Sequence, residues 1–344
     1  MNRDDRLHAA VLGVGSALLF GLAAPVSKLL VLRAGPLILA GVLYLGAGGV
    51  FLLARRRRGE APLERADIPV LLGAIIAGAV LGPPLLLWGL ARVSGLTGSL
   101  LLNLEAPFTM LLAVFVFGEH LSRREAAGAA LAVGGAALLG ARGLGLGGSA
   151  AGAAAIALAC LCWALDNNLT ARLALKDPVQ VLRYKTLGAG ATNLLLGGLA
   201  GQRAIDARIA GAALLLGSVS YGASLLLYLR AQRILGAARQ AALFAAAPFA
   251  GALLAIPLLG DRPGVFDLIA AALMATGVVL LLRARHAHLH RHDALEHEHL
   301  HVHDEHHQHV HDGPVSEPHS HRHRHEAIAH EHPHASDAHH RHRH

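Results

Sequence analysis

The apolar stretch Leu101–Leu121, LLNLEAPFTMLLAVFVFGEHL, carries Asn103, Glu105 and Pro107 near its middle. A carboxylate is costly in hydrocarbon, so it normally faces a bundle interior or a wet cavity. There it takes up a proton or contacts a cationic group; the structural alternative is a partner for an Arg or a helix end. On a helix, Glu105 shares a face with Leu101, Leu102 and Thr109. Pro107 removes a backbone hydrogen bond beside the carboxylate and loosens the helix there. Pro248, in AALFAAAPFAGALLAIPLLGD (Ala241–Asp261), stands in a second stretch of the same form. Both prolines are candidate hinges.

Other polar groups sit inside apolar runs. Asp166-Asn167-Asn168 follows Trp163, and its three side chains cannot all face lipid. Asp166 and Asn167 are candidate cavity contacts, with interhelical hydrogen bonding as the alternative. Tyr221 shares a face with Ser218 and Ser224 at three-residue spacing. Trp88 is either a cavity wall or an interfacial anchor. Gly82-Pro83-Pro84 predicts a kink close by. Lys28 lies within a turn or so of a span end, where it can snorkel. Arg183-Tyr184-Lys185 reads as positive-inside anchoring, and Cys160 and Cys162 read as small apolar residues.

From about His286 the chain changes character, and 23 of its 25 histidines lie there. Such a tract cannot bury a core and is expected to be disordered. Its alternating imidazoles, among them His297, His299, His301, His303, His306, His307, His321, His323 and His325, suit weak divalent metal binding (Ni, Co, Zn or Cu). Titration of the tail near pH 6.5 is the other reading. HExxH occurs at His297–His301 and His330–His334, but alternating histidines make such matches inevitable. No nucleophile–base set appears, so no enzyme is expected, and no cofactor beyond tail-bound metal.

The elements that must position these groups are membrane spans. Of 344 residues 54% are hydrophobic and only 15% charged, against roughly 45–50% and about 25% in soluble domains. Apolar runs of about 20 residues fall at 9–32, 36–54, 68–91, 97–117, 125–141, 150–171, 179–200, 209–229, 237–259 and 264–283. Strand alternation is absent, which argues against a β-barrel. The first run is too long for a signal peptide, and Ala24-Pro25 is a poor cleavage context. Arg and Lys sit at the ends of the runs and are concentrated in alternate loops, such as Arg55–Arg58 and Arg123/Arg124. That pattern puts both termini in the cytoplasm. A net charge of +7 is therefore topology rather than a nucleic-acid surface.

The runs repeat. Setting Pro107 on Pro248 aligns Arg92 with Arg233, Gly95 with Gly236 and, after one extra residue, Gly118-Glu119 with Gly260-Asp261. Five helices per half is odd, so the second half is inverted, the plan of many transporters. The fold class expected is an all-α polytopic membrane protein with two inverted five-helix repeats. Residues 1–142 form the first repeat, 143–149 a linker, 150–285 the second repeat and 286–344 a disordered cytoplasmic tail. The linker's GLGLGG formally matches a dinucleotide pattern, but no strand precedes it.

Glu105-Ala106-Pro107 … Gly118-Glu119, with the helix that follows, resembles the fourth and fifth helices of EamA-type members of the drug/metabolite transporter superfamily. Ala247-Pro248 … Gly260-Asp261 is similar to the matching second-half segment, and Trp163 to an aromatic in the first helix of a repeat; Phe20-Gly21 departs from it in the first half. The resemblance covers roughly residues 9–283. It implies an inner-membrane secondary transporter exporting small metabolites or drug-like solutes by alternating access. Two alternatives place the tail at the centre: a divalent-metal transporter that uses it as a collector, and a non-transporting metal or pH sensor. The expected partners are the lipid bilayer and a small-molecule substrate; oligomeric state is open.

Overall fold

The computed structural model describes residues 3–54, 60–117, 122–142, 149–203 and 205–283, and the tail segments 286–292, 295–301, 319–325 and 328–334. Its body is helical. In chain order the helices are α1 (Leu7–Val31), α2 (Pro36–Leu53), α3 (Arg65–Leu90), α4 (Gly95–Phe115), α5 (Arg123–Arg142), α6 (Ser149–Leu173), α7 (Pro178–Leu199), α8 (Ala207–Leu235), α9 (Arg239–Leu259) and α10 (Val265–Arg283). Eight of them are long and apolar enough to cross a membrane. The other two, α5 and α7, have 20 and 22 residues; α5 is bounded by arginines and α7 carries Arg183 and Lys185. Gly118-Glu119 and the linker residues 143–148 lie outside the described residues.

The helix starts follow local chemistry. Pro36 and Pro178 open α2 and α7, where a missing N–H costs nothing. Asp177 accepts from the amides of Val179 and Gln180 at 2.9 and 3.3 Å, and Asp206 from those of Arg208 and Ile209 at 2.8 and 3.0 Å. Ser122 and Glu125 form a capping box for α5.

The halves interlock antiparallel. Along α2 and α7, Ile38 meets Gly197, Gly41 meets Leu194 and Leu45 meets Gly190. The α5–α10 pair is reciprocal: a Cβ on Gly128 would fall 2.8 Å from the Gly277 carbonyl, and one on Gly277 2.6 Å from that of Gly128. Small residues let helices approach this closely in lipid. The first helix of each half packs into the other half, α1 on α8 and α9, α6 on α3 and α4. Because α2 opposes its counterpart α7, the two halves are inverted relative to each other.

Side chains of the second half cap both ends of α2. Gln202 Oε1 accepts from the amides of Leu37 and Ile38 at 3.1 and 3.2 Å. The Arg183 guanidinium donates to the carbonyls of Phe51 and Ala54 at 2.8–3.0 Å. Positive-inside anchoring alone thus understates Arg183.

The two third helices widen at matching places. Ile75–Leu81 in α3 and Gly217–Ala223 in α8 are π-helical, a form often found at functional sites. In α3 the widened turn runs into Gly82-Pro83-Pro84. Neither proline has an N–H to donate, which leaves the Gly78 and Ala79 carbonyls open. Trp163 Nε1 takes the first at 2.8 Å and Asn193 Nδ2 the second at 3.0 Å. The expected kink is therefore a widened turn clamped from the opposite half.

In the tail, the expectation of disorder meets four short strands. His286–His292 pairs with Ile328–His334, and Leu295–His301 with His319–His325, both antiparallel. The strict two-residue alternation of the tail matches the strand period. Isolated two-stranded ladders are marginal in water, and the helical body ends at Arg283.

Candidate functional site

A cavity of about 710 Å³ lies between the halves, within the few hundred to about 1,000 Å³ of small-molecule sites. At its deep end lie Phe20, Ala24, Ser99 and Gly251. At its other end lie Glu125 in the first turn of α5, Ala171 and Ala174 at the end of α6, and Leu281 and Leu282 in the last turn of α10. The cavity therefore reaches the face on which α1 begins and α10 ends. On the opposite face the helix ends are tied together. Lys28 Nζ donates to the Leu90 and Val93 carbonyls at 2.7 and 2.5 Å. Asp261 Oδ2 accepts from the Leu96 amide at 2.7 Å. Lys28 thus caps the C-terminus of α3 instead of reaching outward, and the acidic end of α9 caps α4.

One wall is polar and comes from α4 and α6. Helix α4 tightens to a 3₁₀ turn at Leu102–Leu104 and resumes at Glu105, just before Pro107. Asn167 Nδ2 donates to Glu105 Oε1 at 2.8 Å and to Thr109 Oγ1 at 3.3 Å. Asn168 Nδ2 donates to the Thr109 and Ala164 carbonyls at 3.0 and 2.9 Å. Asn103 lines the cavity and donates back to the Leu100 carbonyl at 2.9 Å. Among the described residues no Lys or Arg pairs with Glu105.

The facing wall is aromatic and comes from α1, α8 and α9. Phe20 meets Tyr221 edge-on at 5.6 Å and Phe244 at 4.9 Å, and Phe244 meets Tyr228 at 5.0 Å. Ala246, opposite Glu105 in the repeat alignment, explains the difference: the α9 break after Phe244 carries no carboxylate.

Of the residues picked out from sequence, Glu105, Asn103, Asn167, Tyr221 and Pro248 line the cavity, whereas Pro107 packs behind it. Asp166 lies off the cavity, in a buried ion pair with Lys185 at 2.6 and 2.8 Å, with Thr170 donating to it at 2.9 Å. It presses on α3 so closely that a Cβ on Gly78 would fall 2.0 Å from its Oδ2. Trp88 is 37% exposed and lies outside the cavity, with the Arg92 guanidinium 3.5 Å from its ring centroid. Ser218 and Ser224 turn away as well, donating to the Gly46 and Ser16 carbonyls at 3.0 and 2.9 Å. Residues not singled out for the site, but found there, are Phe20, Thr109, Trp163, Tyr228 and Phe244. Two of them had a sequence signal: Trp163, a tryptophan beside a polar cluster, and Thr109, on the helix face of Glu105.

Cys160 is buried and Cys162 partly so, and both are free thiols. Among the described residues no three His, Cys, Asp or Glu side chains are gathered as metal ligands. His297, His299, His301, His321, His323 and His325 lie on the tail strands, and His303, His306 and His307 outside the described residues.

The model of the EamA-like transporter family matches residues 7–141 and again 150–283. An uncharacterised transporter of Methanothermobacter thermautotrophicus is 26% identical over 297 residues, covering 80% of this chain and 86% of its own. A solved crystal structure, 21% identical, superposes with a TM-score of 0.55 over 79% of this chain and 95% of its own, which bears on the fold alone. Two family matches, one on each inverted half, account for nearly all of the helical body: the chain belongs to the EamA-like transporter family and is a multi-pass membrane transporter.

Proposed function

We propose that the protein is a secondary transporter that moves a small organic solute through the central cavity by alternating access. The observation that carries this reading is the asymmetry of closure. The cavity reaches one face, while Lys28 and Asp261 tie the helix ends together on the other. With the N-terminus and tail in the cytoplasm of a cell with an inner membrane, this is the inward-open state, and the solute is loaded for export. Glu105 is the substrate- or proton-linked carboxylate, held in orientation by Asn167. Pro107 and Pro248 let α4 and α9 bend as the halves rock. Flux of a solute panel in proteoliposomes tests the reading: protein-dependent, saturable flux supports it. Folded protein that carries none of the panel under either a proton or a solute gradient contradicts it.

A further inference from the structure

We propose that the cavity selects organic monocations with an apolar body, such as protonated amines and quaternary ammoniums, over zwitterions and anions. The inference rests on the transporter reading only for flux; the binding chemistry stands on the cavity itself.

Charge is the first ground. Among the described residues two carboxylates line the cavity, Glu105 and Glu125, and no Lys, Arg or His does. Lys185, on α7, is committed to Asp166 at 2.6 and 2.8 Å. Glu125 accepts the Ser122 amide in the capping box at the mouth of the cavity, whereas Glu105 lies mid-span on α4 with its Oε1 oriented by Asn167, and it is the carboxylate we assign to the ligand.

Hydrogen-bond bookkeeping is the second. The strong donors on the polar wall are already in use: Trp163 on the Gly78 carbonyl, Asn168 on the Thr109 and Ala164 carbonyls, Asn167 on Glu105 itself. Acceptors are in surplus. Pro107 and Pro248 have no N–H, so the carbonyls of Asn103 and Phe244, both cavity residues, have no amide four residues on to accept from. An anionic or zwitterionic solute would bring a carboxylate into a site where hydroxyls and the second N–H of Asn103 are the side-chain donors left to meet it, a desolvation with little return. An ammonium brings donors and positive charge to acceptors that lack both.

Shape is the third. The linked rings Tyr221–Phe20–Phe244–Tyr228 line the same cavity as the carboxylate. Aromatic faces attract cations and cover apolar bodies at once. A solute with one positive head and an apolar body fits between the two walls.

Three solutes of one shape and different charge decide the matter: 2-phenylethylamine (cation), phenylalanine (zwitterion) and 3-phenylpropionate (anion). Their binding to the full chain in lipid nanodiscs at pH 7 is measured by equilibrium dialysis of labelled solute. The cation should bind saturably and at least tenfold more tightly than either competitor, and Glu105→Gln should weaken it at least tenfold. Equal or tighter binding of the zwitterion or the anion overturns the inference, and so does the absence of saturable cation binding. The wild-type ranking is sufficient by itself if the variant fails to fold. Cation binding without flux of any solute would remove the transporter reading and leave this one standing; flux of phenylalanine without cation binding would do the reverse.

Discussion

Asn167 reaches from α6 to the Glu105 carboxylate on α4 at 2.8 Å, joining the second half of the chain to the first at the polar wall of the cavity. The same amide nitrogen contacts Thr109 at 3.3 Å. Removing it leaves the carboxylate in place but unheld. Asn167→Ala should therefore lower solute flux about tenfold, roughly 1.4 kcal/mol of lost positioning, with little change in melting temperature. Flux and thermal unfolding measured on the same preparation check this. A large drop in melting temperature with unchanged flux per folded molecule would mean that the contact is structural.

The Asp166–Lys185 pair should behave in the opposite way. Both side chains are 11% exposed, and breaking a buried pair by removing one partner costs about 3–5 kcal/mol because the other charge is stranded. Asp166→Asn and Lys185→Met should each lower the melting temperature strongly. The double variant should recover much of the loss, since no charge remains unpaired. Unfolding monitored by fluorescence decides it, and additive losses in the double variant would contradict the account.

How much of this was visible in the chain itself follows from the ranges of the forces. The spans, the inversion and the inward placement of the Glu105 carboxylate were legible, because bilayer thickness and the cost of a carboxylate act on local sequence. For Asp166 the sequence left cavity contact and interhelical bonding open, and the structure shows the second: its partner lies 19 residues away on another helix, and nothing local fixes the phase between them. The aromatic wall was invisible: Phe20 and Phe244 look like any apolar residues of a span until α1 crosses into the other half. The contact between Trp163 and the Gly78 carbonyl spans 85 residues, and only the fold shows that Pro83 and Pro84 free that carbonyl.

Close helix contact gives a third test. Gly128→Val and Gly277→Val each push a side chain into the opposing backbone, with a Cβ at 2.6–2.8 Å from a carbonyl oxygen. Either should cost about 1–3 kcal/mol through overpacking. Gly134→Ala, on the same α5 and with open space at its Cβ, should be neutral or slightly stabilising. Thermal stability in detergent separates the three, and equal losses at all three positions would argue against the α5–α10 packing.

Lys28 offers a fourth. Its ammonium holds the Leu90 and Val93 carbonyls on the closed face. Lys28→Met keeps the length of the side chain and loses both bonds, so the closed face should open more often. A cysteine placed at Ser99, deep in the cavity, in a chain with Cys160 and Cys162 replaced by Ala, should react faster with a membrane-impermeant maleimide applied from the side of the α3–α4 loop. An unchanged rate would show that Lys28 does not hold that face shut.

The most direct test of the central claim is solute flux in proteoliposomes with an imposed proton gradient, wild type against Glu105→Gln, using a solute that the wild type carries. Loss of at least nine-tenths of the flux, together with loss of its response to the gradient, in protein that remains folded is the result this account predicts. Full flux with an unchanged response to the gradient in Glu105→Gln would contradict it.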